Sequence, residues 1–170
     1  MPAQRQSDVS DAEFERFYAE HRDAVYRAVV LATRRPDRAE EAVAEAFARA
    51  LEHWSDVAMH PNPVGWVVRT AMNQFVSGWR IWRRETQVAA DVVAVPDEAR
   101  SLDPFLLRQL WRLPLRQRQV VAMRILLDLD GRETAETLGM AEGTVGAHLK
   151  RALESLRLGL AGTAYEETAP

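Results

Sequence analysis

Apolar residues recur along most of this chain at three- and four-residue intervals, the spacing of a single buried stripe on a helix. Phe14, Phe17, Tyr18, Val25, Val29 and Leu31 predict a first helix that reaches about Thr33, with Ser10 and Glu13 forming a capping box at its start. The stretch RRPDR breaks it. Pro36 or Asp37 then opens a second helix, whose buried face carries Ala39, Val43, Ala46, Phe47, Ala50, Leu51 and Trp54. Its other face is acidic, with Glu40, Glu41, Glu45 and Glu52 around Arg49. Two close prolines make SDVAMHPNPVG a loop, because proline cannot continue either helix.

A third helix begins at Asn62 or Pro63 and runs through VGWVVRTAMNQFVSGWRIWRRE. Trp66, Thr70, Ala71 and some of Phe75, Trp79 and Trp82 can face a core, whereas Arg69, Asn73, Arg80, Arg83 and Arg84 cannot all do so. From Thr86 to about Arg100 there is no helical face, which reads as a linker. Asp103 as cap and Pro104 at the first helical position open the next helix, and LPLRQRQVVAMRILL follows as another.

The stretch 130–157 holds two further helices around a tight turn at Gly139. Asp130 and Glu133 form the capping box of the first, with Ala135 and Leu138 pointing inward. The second runs from about Glu142 to Leu158, with Val145, Leu149, Ala152, Leu153 and Leu156 on its buried stripe. Ala147, Lys150, Arg151 and Glu154 lie opposite. A helix that braces a second one carrying small and basic side chains is the helix-turn-helix arrangement for the DNA major groove. An amphipathic hairpin with merely solvated charges has the same pattern.

The predicted fold is therefore all-α, two small helical domains joined by a flexible linker, the C-terminal one containing a helix-turn-helix. The expected boundaries are a disordered N-terminus over 1–10, a domain over 11–85, a linker over 86–100, a domain over 101–158 and a flexible tail over 159–170.

A net charge of −3 argues mildly against a nucleic-acid partner until its distribution is considered. Acids are in excess in the first third, while residues 69–84 hold four arginines and no acid. Aromatic rings beside arginines suit single-stranded nucleic acid, since bases stack on rings while guanidinium groups hold phosphates. A tryptophan in a core explains the same rings. With no cysteine there are no disulfides and no thiolate metal sites. No apolar run approaches the roughly 18 residues of a membrane span, so a soluble cytoplasmic protein is expected. His21, His53, His60 and His148 lie apart without metal-ligand spacing, and no phosphate loop or nucleophile motif occurs. The reading is of no enzyme, no cofactor and no metal.

In order and spacing, AEEAVAEAFARALEHW, GWVVRTAMNQFVSGWR, LPLRQRQVV and AETLGMAEGTVGAHLKRALESLR resemble the extracytoplasmic-function group of bacterial sigma factors over about residues 11–158. The resemblance implies that residues 11–85 are sigma region 2 and residues 101–158 sigma region 4. It implies core RNA polymerase as partner, through the β′ clamp and the β flap, with Glu41, Glu45 and Phe47 among the contacts. It implies promoter DNA as the other, with Asn73, Arg80, Arg83 and Arg84 along the melted −10 element and an extruded base received by the loop Ser55–Pro63. Arg132, Thr144, Lys150 and Arg151 would serve the −35 duplex, with Ala147 and His148 as positions of close approach. Members usually have an anti-sigma factor. Ala141 stands where the family commonly caps the recognition helix with Ser, a loss of about 1 kcal/mol. Two other readings remain at this point: a helix-turn-helix transcriptional regulator, and a sigma-like decoy that binds polymerase or an anti-sigma factor without initiating.

Overall fold

The fold, taken from a computed structural model, is described for residues 2–82 and 103–166, with side chains described over 10–74 and 103–161. All elements among the described residues are helical. The first half comprises α1 (Pro2–Thr33), α2 (Pro36–Glu52), the short α3 (Trp54–Val57) and α4 (Pro63–Trp82). The second comprises α5 (Pro104–Arg112), α6 (Leu115–Val121) with a π-helical turn at Ala122–Leu126, α7 (Gly131–Leu138) and α8 (Glu142–Glu166). The all-α, two-domain expectation holds.

Local chemistry accounts for most helix ends. Arg34 adopts φ 60° after α1, and the Thr33 hydroxyl donates to Val29 O at 2.7 Å while accepting from Arg35 N at 3.3 Å. Asn62 caps α4, its Oδ1 accepting from Gly65 N at 2.7 Å, with Pro63 at the first position. Asp103 caps α5 as expected, Oδ1 accepting from Phe105 N at 2.7 Å and Leu106 N at 3.1 Å. Between α5 and α6, Leu113 is extended because a residue before proline is pushed out of the helical region.

The core explains how the halves meet. Val25, Ala28, Val29, Val30, Leu31 and Ala32 are all buried. Five successive residues, 28 to 32, sweep all round a helix, so neighbours must cover this part of α1 on every side. On one side it packs against α2 and α4, and on the other against α6 and the π-helical turn. A single buried cluster therefore runs from Val29 and Phe47 to Leu110, Val121, Met123 and Ala152. A smaller one, Val120, Ala135 and Val145, holds α7 and α8 to α6.

Several expectations need correction. Helical backbone begins at Pro2, so residues 2–10 are not a disordered arm and Ser10 is interior to α1 rather than its cap. Ser55–Val57 belong to α3 rather than to a loop. Leu51 and Leu153 are exposed, because each sits at the margin of its stripe with no element over it. The helix over LPLRQRQVVAMRILL closes with a π turn, and α8 continues through the expected tail to Glu166. The linker assigned to 86–100, with Arg83 and Arg84, lies outside the described residues.

Candidate nucleic-acid interface

The helix pair at the C-terminal end is built by its caps. Asp130 Oδ1 accepts from Glu133 N at 2.8 Å, and Glu133 Oε2 accepts from Asp130 N at 2.7 Å, the reciprocal box predicted from the sequence. Gly139 turns the chain at φ 63°, ψ 46°, a left-handed conformation in which its N–H still donates to Ala135 O. Below the turn, Val145 packs with Ala135 and Val120 and fixes how α8 leaves. Ala141 caps nothing with its side chain, although its carbonyl accepts from Thr144 N and Val145 N.

With Val145 and Ala152 buried, the opposite side of α8 faces outward. Thr144, Lys150 and Arg151 are exposed, and Ala147 is half-buried between them. Residues 144, 147 and 151 fall on one row at three- and four-residue steps. Gly143 and Gly146 have open space around them, which leaves room for a close neighbour. His148 is half-buried and its Nδ1 is enclosed with no hydrogen bond among the described residues, so it stands beside this row rather than on it. Arg132 is exposed on α7 and its Nε donates to Glu136 Oε1 at 3.1 Å, a surface pair that a phosphate could displace.

On α4, Asn73 is exposed. Arg69, Asn73 and Arg80 recur at four and seven residues, on one side of that helix. Arg80 lies within α4, and only its backbone is described. Beside the start of α4 is a shallow cavity of about 260 Å³ lined by His53, Asp56, Val57, His60 and Trp66. The backbone N–H of Asn62 donates to His60 Nδ1 at 3.0 Å, which ties the imidazole to the turn. Sequence reasoning pointed to the loop but missed His53 as a lining residue and treated Trp66 as core. Trp66 is half-buried and does both.

The acidic side of α2 is exposed as expected: Glu41 is open, and Glu45 accepts from Arg49 Nε at 2.8 Å. Phe47 is not part of it. It is 2% exposed, with its ring 6.0 Å from that of Phe17 and 5.0 Å from that of Tyr18, so its assignment as a partner contact is corrected to a core role. At the other end of α2 the Arg35 guanidinium donates to both Asp37 oxygens, at 2.9 and 2.6 Å. That fork holds the Asp37 carboxyl below the usual range and raises Arg35. Burial, with the Arg34 charge second, lowers the Arg118 guanidinium.

Comparison with known proteins agrees with this geometry. The model for Sigma-70 region 2 matches residues 17–85, and the model for Sigma-70, region 4 matches residues 106–156. The RNA polymerase sigma-E factor of Streptomyces coelicolor is 30% identical over 149 residues, covering 85% of this chain and 84% of that protein. The chain is an extracytoplasmic-function sigma factor. The ECF RNA polymerase sigma factor BldN of the same species is 29% identical over 162 residues, 89% of this chain and 61% of that protein. Among solved structures, the sigma factor RpoE in complex with the anti-sigma factor NepR from Bartonella quintana has the same fold. Its TM-score is 0.76 at 24% identity, over 88% of this sigma factor and 97% of that chain. The described residues of this sigma factor contain no helix long and apolar enough to cross a membrane, and no cluster of three or more metal-ligating side chains. Sigma factors are DNA-binding regulators rather than enzymes.

Proposed function

We propose that this sigma factor binds core RNA polymerase and directs it to promoters that have a −35 duplex element and a −10 element read as melted DNA. The observation that carries the reading is the capped helix pair, which leaves Thr144, Ala147, Lys150 and Arg151 on one open row of α8. Arg151 and Lys150 suit phosphates and base edges, Thr144 can donate or accept, and Ala147 permits close approach. Arg132 adds a phosphate contact, and His148 lies at the margin of the same surface. On α4, Asn73 and Arg80, with Arg83 and Arg84 further along, follow the non-template strand.

The cavity lined by His53, His60 and Trp66 supports the extruded-base assignment. A flipped base loses a few kcal/mol of stacking, and a half-buried indole beside two imidazoles can return part of it. Exposed Glu41 and Glu45 are the polymerase contacts on α2, facing the β′ clamp, while region 4 meets the β flap. The neighbour solved with NepR supports an anti-sigma partner for this chain as well. In this reading residues 11–85 are the polymerase and −10 module, and 101–158 the −35 module.

Run-off transcription on a pool of genomic promoter fragments, with core polymerase from the source organism, tests the proposal. Initiation at a few promoters sharing spaced −35 and −10 elements is expected only when the protein is present. Polymerase binding without initiation would replace the reading with a decoy, and no polymerase binding would leave a stand-alone regulator.

A further inference from the structure

Two arginines converge on one corner of the fold. Arg34 follows α1 directly at φ 60°, a left-handed conformation that strains a residue with a Cβ and that glycine or asparagine adopts more readily. Its exposed guanidinium stands 5.8 Å over the ring of Trp111, next to the last residue of α5. Two residues further on, the Leu113 carbonyl accepts from Arg118 Nη1 at 2.5 Å, so α6 brings a second guanidinium to the same corner. The Arg34 charge acts on Arg118 across it.

No carboxylate answers this pair. Among the described residues neither Arg34 nor Arg118 has an ion pair, and Asp37, the acid nearest along the chain, is taken by the Arg35 fork. Arg118 has five N–H donors and one hydrogen bond among the described residues, and its Nε finds no partner. Two like charges, one of them half-buried, raise the free energy of the folded chain unless a negative charge is shared between them. The forked donors of a guanidinium match the tetrahedral oxygens of a phosphate. Because Arg118 is half-buried with its Nε enclosed, a small anion fits this corner better than a nucleic-acid strand, whose sugars would have to follow the charge inward.

We propose that Arg34 and Arg118 form a binding site for a small phosphate dianion beside Trp111, tying the end of α1 to the corner between α5 and α6. The ligand is inorganic phosphate or the terminal phosphate of a nucleotide, which present the same oxygens to the two arginines. Binding replaces a repulsion by two charge-assisted contacts, and the strained Arg34 backbone is what carries its side chain over Trp111 to make one of them. The site uses none of the residues assigned to promoter DNA or to polymerase, so it goes beyond that reading and does not depend on it.

The test titrates the free full-length chain with inorganic phosphate at constant ionic strength, sodium chloride making up the balance. Phosphate is kept below the concentrations at which it strengthens apolar burial in any protein. Calorimetry should show binding, and phosphate at about ten times its Kd should raise the melting temperature by roughly 3–6 °C. Arg34→Gln, at an exposed position, should fold like the wild type and weaken phosphate binding by about tenfold or more. Arg118→Gln should do the same, although it also gives up the bond to Leu113, so Arg34→Gln is the deciding variant. Arg22→Gln, well back along α1 beside Asp23, should bind as the wild type does. Adenosine diphosphate in place of phosphate separates the two sources. Equal affinity assigns free phosphate, and tighter binding that is also lost in Arg34→Gln assigns a nucleotide. Absence of any phosphate-dependent shift against chloride would overturn the site, and equal binding by wild type and Arg34→Gln would reduce it to a general salt response. If phosphate did not bind while Arg34→Gln weakened promoter binding by the polymerase holoenzyme, the arginines would belong to the DNA backbone and the proposal would fall.

Discussion

Removing the Phe47 ring separates a core role from a partner contact, and the structure sets the expected size of the effect. The side chain is 2% exposed and contacts the rings of Phe17 and Tyr18, the latter edge-on at 81°. Phe47→Ala removes the buried ring and leaves a cavity that α1 and α2 cannot collapse around, since Ala46 and Ala50 beside it are already fully buried. Such truncations cost about 3–5 kcal/mol, of which the lost aromatic pairs account for roughly 0.5–1.5 kcal/mol each. Against a total stability of about 5–15 kcal/mol this is a large fraction. At about 2–4 °C per kcal/mol for a chain of this size, the melting temperature should fall by roughly 6–20 °C. Phe47→Leu keeps most of the volume and should cost under about 2 kcal/mol. Thermal unfolding followed by circular dichroism reads both, and polymerase binding measured well below the melting point should survive in both. A Phe47→Ala protein that melts within about 2 °C of the wild type yet fails to bind polymerase would refute the core assignment.

Other perturbations act at named contacts. Gly139→Ala forces a Cβ into φ 63° and should cost about 1 kcal/mol, lowering the melting temperature by about 2–4 °C and weakening promoter binding, because the turn aims α8; unchanged melting would contradict the left-handed turn. Lys150→Ala and Arg151→Ala should each weaken promoter binding and flatten its salt dependence by about 0.9 per phosphate lost, whereas an unaltered slope would put them off the DNA. Asp37 illustrates the sign of a depressed carboxyl: its pairing with Arg35 adds stability above the unfolded pKa of about 4, and that stability is lost as pH falls through the lower folded value. For so exposed a pair the gain is about 0.2–1 kcal/mol, so Asp37→Asn should melt slightly lower than wild type at pH 7, with the gap closing only below pH 4. A gap of the same size at pH 2 would refute the pairing.

The features legible in the residues were those that depend on neighbours three or four positions away. Asp130 with Glu133, Asp103 before Pro104, Asn62 before Pro63 and the left-handed Gly139 are closed by contacts within one helical turn, and each was readable as a pattern. The outward placing of Lys150 and Arg151 followed from the same periodicity, since a stripe that buries Val145 and Ala152 leaves the other side to solvent. Start and stop signals misled where a helix simply ran on, as at Ser10 within α1 and beyond Leu158 in α8. Periodicity placed Phe47 on the buried face of α2 while the family resemblance put it among the polymerase contacts, and its packing on the rings of α1 agrees with the periodicity. The cavity at His53, His60 and Trp66 joins three elements, and the packing of α7 on α4 sets Gly65 against Thr137, far along the chain. No local rule reaches that far. One trace of it stood in the sequence all the same: the run AVVLA at residues 28–32 has no polar side, and a helix segment without one must be covered from all round. Which element covers it depends on packing between the halves, a property of shape complementarity over many residues rather than of any residue's own preference.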